Sequence, residues 1–267
     1  MAKVIMLGTG NGEALNLFNT CFVIQNDNGI FLIDTGGSIE IIKKLQDVNI
    51  NFLDIEHIFI SHSHTDHIFG LIWILKKIGI ALKKREYVKN INIYCNDIVY
   101  EAIMNISKYT LSEKTLIKVL EKIKFHILND GDVREINGIN YTFFDINAKK
   151  VKQFGFECNL NNKRLVFLGD ETLNDIMYNK VKNVDYVMHE AFCMYSDINI
   201  FNSYIGSHST VKSVCEVMNK LGVKNLILYH TEEIHGENKK RLYTEEGRKY
   251  FSGNVIVPDD LDIIDIL

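Results

Sequence analysis

Short apolar runs, each cut off by glycine, asparagine or aspartate, dominate the first part of the chain. On this pattern Lys3–Gly8, Cys21–Gln25 and Gly29–Asp34 read as strands. Ser38–Gln46 reads as a helix, with Ser38 as its N-cap. Strand Ile55–Ile60 precedes a long apolar helix from about Ile68 to Leu82. Strand Ile91–Tyr94 and helices Asp97–Lys108 and Glu113–Lys122 follow. A second β-rich stretch covers Lys124–Ile127, Val133–Ile136, Tyr141–Phe144, Phe154–Asn159 and Arg164–Leu168. The remainder alternates: strand Asp185–Met188, helix Thr210–Leu221, strand Asn225–Tyr229, a helix near Lys239–Tyr250, and a final β pair. Two β-rich halves, each followed by helices, predict an α/β chain of two sheets packed face to face with helices outside. A weak twofold echo is present, but no repeat of fixed period.

Composition narrows this picture. With 46% hydrophobic and 24% charged residues, the chain has the mix of a globular protein with a core of its own. Pro258 is the only proline and no Gly/Ser-rich linker interrupts the pattern, so residues 1–267 are expected to form one domain. A formal charge of −4 gives no basis for broad binding to nucleic acid, so a phosphate-bearing substrate needs local basic groups. The cysteines Cys21, Cys95, Cys158, Cys193 and Cys215 are scattered and form no CxxC pair. They read as reduced, mostly buried thiols of a cytoplasmic protein. The N-terminus enters a strand pattern directly, which reads as having no signal peptide. The most apolar stretch, Ile68 to Leu75, ends at Lys76 and Lys77, well short of the roughly 20 residues that span a bilayer.

One arrangement recurs along the chain: an apolar strand ends in a side chain able to bind metal. Ile58-Phe59-Ile60 runs into Ser61-His62-Ser63-His64-Thr65-Asp66-His67. Leu165-Val166-Phe167-Leu168 runs into Gly169-Asp170, Tyr186-Val187-Met188 into His189-Glu190, and Leu226-Ile227-Leu228-Tyr229 into His230. Ligand and catalytic groups in α/β folds collect beyond the carboxyl ends of strands, so these ends predict a polar cleft. Residues two apart in extended chain point the same way, which lets His62 and His64 grip one ion. Asp66 and His67, at the turn into the following helix, suit a second ion nearby. Imidazole and carboxylate donors without thiolate favour zinc, with manganese or iron as alternatives.

At these residues the chain resembles the metallo-β-lactamase superfamily, whose HxHxDH motif is matched by His62, His64, Asp66 and His67. The likeness extends from Leu7-Gly8-Thr9-Gly10, through Leu32-Ile33-Asp34-Thr35-Gly36, to His230. It implies an αββα sandwich holding two adjacent divalent metal ions, with Asp170 as the bridging aspartate and His230 as the last histidine ligand. Asp170 stands where the cysteine-ligated β-lactamases carry cysteine, and His64 where the flavodiiron branch uses glutamate, which disfavours both. Gly206-Ser207-His208-Ser209-Thr210 and His189-Glu190-Ala191 look like the HST loop and HEAT motif of the ribonuclease Z-like phosphodiesterases, with Phe192 in place of the motif's threonine. In that group the glutamate orients the loop histidine, which protonates the leaving oxygen. A carboxylate beside an imidazole fixes its tautomer and raises its pKa, which suits that role.

Departures qualify the likeness. Where tRNA-processing members carry PxKxRN, this chain reads Ala14-Leu15-Asn16-Leu17-Phe18-Asn19, keeping only the asparagine. Those members insert a long tRNA-gripping arm before the bridging aspartate, whereas only 22 residues separate Asn147 from Asp170 here. Asn147 also stands where the family has its middle histidine ligand; an amide oxygen is a weak, neutral donor, and Asp145 could take its place if the loop is shifted. His57, His126 and His235 read as structural or solvated. Gly8-Thr9-Gly10-Asn11-Gly12 lacks the lysine and helix entry of a phosphate loop and reads as a tight turn at the cleft rim. Lys149-Lys150-Lys152 and Lys239-Lys240-Arg241 read as solvated faces that could also meet a phosphate.

The expectation is hydrolysis of a small phosphodiester or RNA-like substrate, with Asp66 orienting the water and His208, supported by Glu190, as general acid. Hydrolysis of a carboxyl ester, thioester or lactone by the same metals is the first alternative. A non-enzymatic ligand-binding protein on a degenerate scaffold, suggested by Asn147, is the second. No membrane partner is expected, and a homodimer stands open.

Overall fold

The computed structural model describes residues 1–267 except 87, 203 and 205. One seven-stranded sheet contains β1 (Lys3–Gly8), β2 (Cys21–Asn26), β3 (Gly29–Ile33), β4 (His57–Phe59), β5 (Ile91–Cys95) and β6 (Ile123–Ile127). The second contains β7 (Val133–Ile136), β8 (Ile139–Asp145), β9 (Phe154–Leu160), β10 (Lys163–Phe167), β11 (Tyr186–Glu190), β12 (Asn225–Tyr229) and β13 (Asn254–Ile256). The last strand, β14 (Ile263–Asp265), returns to the first sheet and pairs with β1.

The expected final β pair is therefore not a pair. β13 extends the second sheet parallel to β12, while β14 closes the edge of the first sheet antiparallel to β1. Adjacent strands in sequence usually neighbour each other, and here the edges of two different sheets were open to them.

Both sheets follow one plan, which is the twofold echo seen in sequence. β1, β2 and β3 form an antiparallel meander, and β3 through β6 then run parallel. β7 through β10 are antiparallel, and β10 through β13 run parallel. The carboxyl ends of the parallel strands are where the polar residues gather.

Period-two alternation sorts side chains between layers. Val4, Met6, Phe22, Ile24, Phe31 and Ile33 point between the sheets, where they meet Phe143, Phe156 and Phe167. Edge-on ring pairs cross the interface, with Phe22 and Phe167 at 5.2 Å and Phe31 and Tyr141 at 4.9 Å between centroids. The alternate residues Ile5, Leu7, Cys21, Val23 and Leu32 face outward against helices α1 (Glu40–Asp47), α2 (Thr65–Lys83), α3 (Asp97–Thr110) and α4 (Glu113–Leu120). On the other side, Val166, Val187, Leu226 and Leu228 pack against α5 (Tyr178–Val181), α6 (Val211–Lys220) and α7 (Lys239–Tyr250). The result is the expected αββα sandwich.

Two helix starts differ from expectation. α1 begins at Glu40 and Ser38 is not its N-cap, although Ser38 Oγ accepts from the Glu40 N–H at 3.2 Å. α2 begins at Thr65 rather than near Ile68, which puts Asp66 and His67 in its first turn. That turn is polar, so apolar periodicity does not reveal it. α2 lies close against the strand-end loop: Gly70 N–H donates to Gly36 at 2.8 Å, and a Cβ at Gly70 would fall 1.9 Å from the Thr35 carbonyl. Only glycine permits this approach. All five cysteines are free and buried. Among the described residues, no helix is long and apolar enough to cross a membrane.

Candidate metal centre

Asp170 is the hub. It follows β10 through Gly169, whose φ of +68° and close approach to Gln153 restrict the position to glycine. The Asp170 carboxylate lies 3.4 Å from His62 Nε2, 3.3 Å from His67 Nε2 and 3.4 Å from His230 Nε2. Two groups of potential donors share it. His62, His64 and Asp170 form one, and Asp66, His67, Asp170 and His230 form the other, each with donor atoms within 4.8 Å of one another. The structure thus brings together the HxHxDH residues, Asp170 and His230 from three separate strand ends.

Local geometry explains how. His62 and His64 lie on the extended segment between β4 and α2, and their Nε2 and Nδ1 atoms stand 3.0 Å apart. His64 is extended at the helix N-terminus, with ψ of 152°, and makes no side-chain cap. Asp66 sits in the first turn, where the helix dipole favours an anion. His230 follows β12 with φ of +56°, a conformation uncommon for a residue with a Cβ. Tyr229 anchors the same point by donating its hydroxyl to the Gly169 carbonyl.

Electrostatics at the centre favour a cation. Burial alone would raise the Asp66 carboxyl, but facing His67 and His230 hold it well below the usual carboxylate range. Asp170 is likewise buried yet held low by His62 and His67. Burial opposes charge on His67, but Asp66 and Asp34 raise its pKa well above that of an ordinary histidine. His67 Nε2, His230 Nε2 and Asp170 Oδ1 are buried without a hydrogen-bond partner among the described residues. Orphaned buried donors of this kind, all nitrogen and oxygen, fit a divalent metal.

Asp34 was not among the expected ligands, yet it organises the site. Its carboxylate accepts from Ser61 N–H at 2.8 Å and Ser61 Oγ at 2.7 Å, and lies 2.8 Å from His67 Nδ1. A carboxylate behind a histidine fixes the tautomer and frees the other nitrogen for metal. Its signal was present: Leu32-Ile33-Asp34 is also an apolar strand ending in a ligand-type residue.

Glu190 ends β11 and is fully buried. It accepts from Ser209 N–H at 2.6 Å and Phe192 N–H at 3.1 Å, which ties the His208 loop to the strand. Its Oε2 lies 3.8 Å from His208 Nδ1, an ion-pair separation beyond hydrogen-bond length. Burial lowers the His208 pKa, but the Glu190 and Asp170 carboxylates outweigh it and leave it raised. The His208 ring packs on His230 at 5.3 Å between centroids, which places it beside the second donor group. Thr210, the real N-cap of α6, forms a capping box with Ser213 and fixes the far end of the loop.

Asn147 stands apart from this set. It is exposed, with φ of +55°, its backbone N–H donates to Asp145 Oδ1 at 2.8 Å, and its amide donates to the Asp145 carbonyl at 3.3 Å. His57, His126 and His235 pair with Tyr94, Asn92 and Asp197, outside the donor groups. The Gly10–Gly12 turn is at the rim, where a Cβ at Gly12 would lie 3.1 Å from Asp66 Oδ2. Tyr204 donates its hydroxyl to the adjacent Glu13 at 2.7 Å and so bridges this turn to the His208 loop.

Comparison with known proteins agrees with the fold. A family model described as "Anti-Pycsar protein Apyc1" matches residues 2–251. The chain is 25% identical to ribonuclease Z of Picrophilus torridus over 312 aligned positions, covering 97% of this chain and 94% of the relative. That alignment is longer than the 267-residue chain, so the relative carries insertions that this chain lacks. Among solved structures, the metallo-β-lactamase fold protein YhfI from Bacillus subtilis superposes with a TM-score of 0.77 at 18% identity, covering 99% of this chain and all of that one. Unliganded yeast PDE1 superposes with a TM-score of 0.74 at 12% identity, both chains being covered in full. The sandwich is of the metallo-β-lactamase type.

Proposed function

Since the chain belongs to the Apyc1 family of anti-Pycsar proteins, we propose that it is a metal-dependent phosphodiesterase acting on a small phosphodiester. The observation that carries this reading is the Glu190–His208 pair set against His230, beside two donor groups that share Asp170. A phosphodiester expels a poor alkoxide and benefits from an acid; a thioester or other activated ester, with a better leaving group, has far less need of one.

His62, His64 and Asp170 would hold one metal ion, and Asp66, His67, Asp170 and His230 the other. The donors suit zinc, with manganese or iron as alternatives. Bound there, divalent metal supplies Lewis acidity towards a phosphoryl oxygen and a water that is nucleophilic near neutral pH. Asp66, at the helix N-terminus under Gly12, would accept a hydrogen bond from the attacking water and orient it. His208 stands on the leaving-group side and delivers its proton to the departing oxygen. Glu190 holds the His208 loop through its two backbone contacts and favours the protonated imidazole. Exposed Asn147 leaves the His62 position with three strong donors and solvent.

Small size is supported by the Tyr204–Glu13 bridge over the rim and by the short 147–170 segment, which has no length for a polymer-gripping arm. The family description suggests in turn that the activity is directed against Pycsar. The same proposal takes the protein as a single-domain cytoplasmic enzyme, checked by fractionation, and light scattering decides whether it pairs with a second copy. The primary test is a panel of bis-p-nitrophenyl phosphate, an unactivated small diester, a thioester and a lactone, run with zinc and with manganese. Turnover of the diesters supports the proposal; turnover confined to the thioester or lactone contradicts it.

A further inference from the structure

Four aromatic rings stand in sequence between the rim and the metal centre. Tyr204 stacks on Phe192 at 4.8 Å and 24°, Phe192 on His208 at 5.1 Å and 21°, and His208 on His230 at 5.3 Å and 26°. Phe192 is the second plank of this column and occupies the position where the resembling motif has threonine. Phe192 is 3% exposed, yet it belongs to none of the three hydrophobic clusters that make up the core.

Its backbone is pinned unusually well. The Phe192 N–H donates to Glu190 Oε2 at 3.1 Å and to the Ser209 carbonyl at 3.0 Å. The Phe192 carbonyl accepts from Glu232 N–H at 2.7 Å and from the Tyr243 hydroxyl at 3.0 Å. Phe201 meets the ring edge-on at 5.5 Å. His208, by contrast, has no hydrogen bond to its Nδ1 among the described residues, and Glu190 is 3.8 Å away. Ring packing is therefore the stronger restraint on where the imidazole stands.

We infer that Phe192 is a positioning residue for the proposed reaction, fixing the His208 imidazole against His230 by ring stacking. The inference rests on the reading of His208 as the acid. Stacked rings hold an imidazole in plane without occupying its nitrogens, which leaves the proton free for the leaving oxygen. Misplacement of a reacting group by about 1 Å can cost on the order of 100-fold in rate, so a ring that prevents it matters to the chemistry.

The test compares hydrolysis of an unactivated small diester with that of bis-p-nitrophenyl phosphate and reads the ratio of the two rates. Phe192→Leu removes the ring at similar volume, and Phe192→Tyr keeps it; Phe192→Met serves if the leucine variant fails to fold. The leucine variant is expected to lower the ratio by roughly tenfold, and the tyrosine variant to restore most of it. Introduced into a His208→Ala background, Phe192→Leu is expected to change the ratio no further. Equal ratios in the leucine and tyrosine variants, or a full additional loss in the His208→Ala background, would overturn the positioning role. A His208→Ala ratio equal to that of the natural protein would overturn the acid assignment itself, and this inference with it.

Discussion

The two donor groups that share Asp170 are built differently. The Asp66, His67, Asp170 and His230 group has four strong donors, three of them buried, and a buried carboxylate, Asp34, steering His67 from behind. The His62, His64 and Asp170 group has three, one of which, His64, is exposed, and Asn147 is turned onto its own loop rather than into the group. Burial favours a cation at the first position, because His67 Nε2, His230 Nε2 and Asp170 Oδ1 have no hydrogen-bond partner among the described residues. The second group reaches solvent through exposed His64. Unequal filling is the expected outcome, with the four-donor position predicted to take metal first.

Removing the shared hub should erase the contrast. Asp170→Ala is expected to empty both positions and to lower diester hydrolysis by roughly 100-fold or more, read by elemental analysis and rate; retained metal in both would refute the shared site. Asp34→Asn acts directly on the four-donor side through His67 Nδ1 and reaches His62 only by way of Ser61 Oγ. It should weaken metal at the four-donor position by about 10–100-fold in competition titrations, and an equal loss at the other position would mean that Asp34 is not specific to His67. Asn147→His should narrow the difference by tightening the weaker position, by about tenfold for one added imidazole donor. Two equally tight ions in the natural protein, unaffected by this change, would show the middle ligand to lie elsewhere. The smallest effect is on stability: metal at 100 times its Kd adds about 2.7 kcal/mol, so chelation should lower Tm by roughly 5–10 °C. An unchanged Tm on chelation would argue against tight filling of either position.

Sequence pattern carried most of this architecture because the central strands, among them β1, β3, β10, β11 and β12, hold apolar residues on both faces, and several of them run into a polar group. The rule of an apolar strand ending in a ligand-type residue located His62, Asp170, Glu190 and His230 without any likeness to a family. What it missed has physical reasons. The start of α2 was hidden because its first turn, Thr65-Asp66-His67, faces the metal centre rather than the core. β13 and β14 look like a hairpin in sequence, and only the spatial position of the two sheet edges separates them. Asp34 satisfies the strand-end rule but acts one step behind the donors, a distinction that depends on where His67 Nδ1 points. Phe192 appeared as a departure from a motif, and its contact with His208 exists only once two distant loops meet.

The central claim, a phosphodiesterase whose leaving group is protonated by His208, is tested most directly by the leaving-group dependence of His208→Ala. The variant should lose roughly 100-fold or more on an unactivated diester and much less on bis-p-nitrophenyl phosphate, with metal content unchanged. Glu190→Gln should show the same contrast more weakly. Equal losses on both substrates, or loss of metal from the His208 variant, would contradict the account and make His208 a ligand or a scaffold residue.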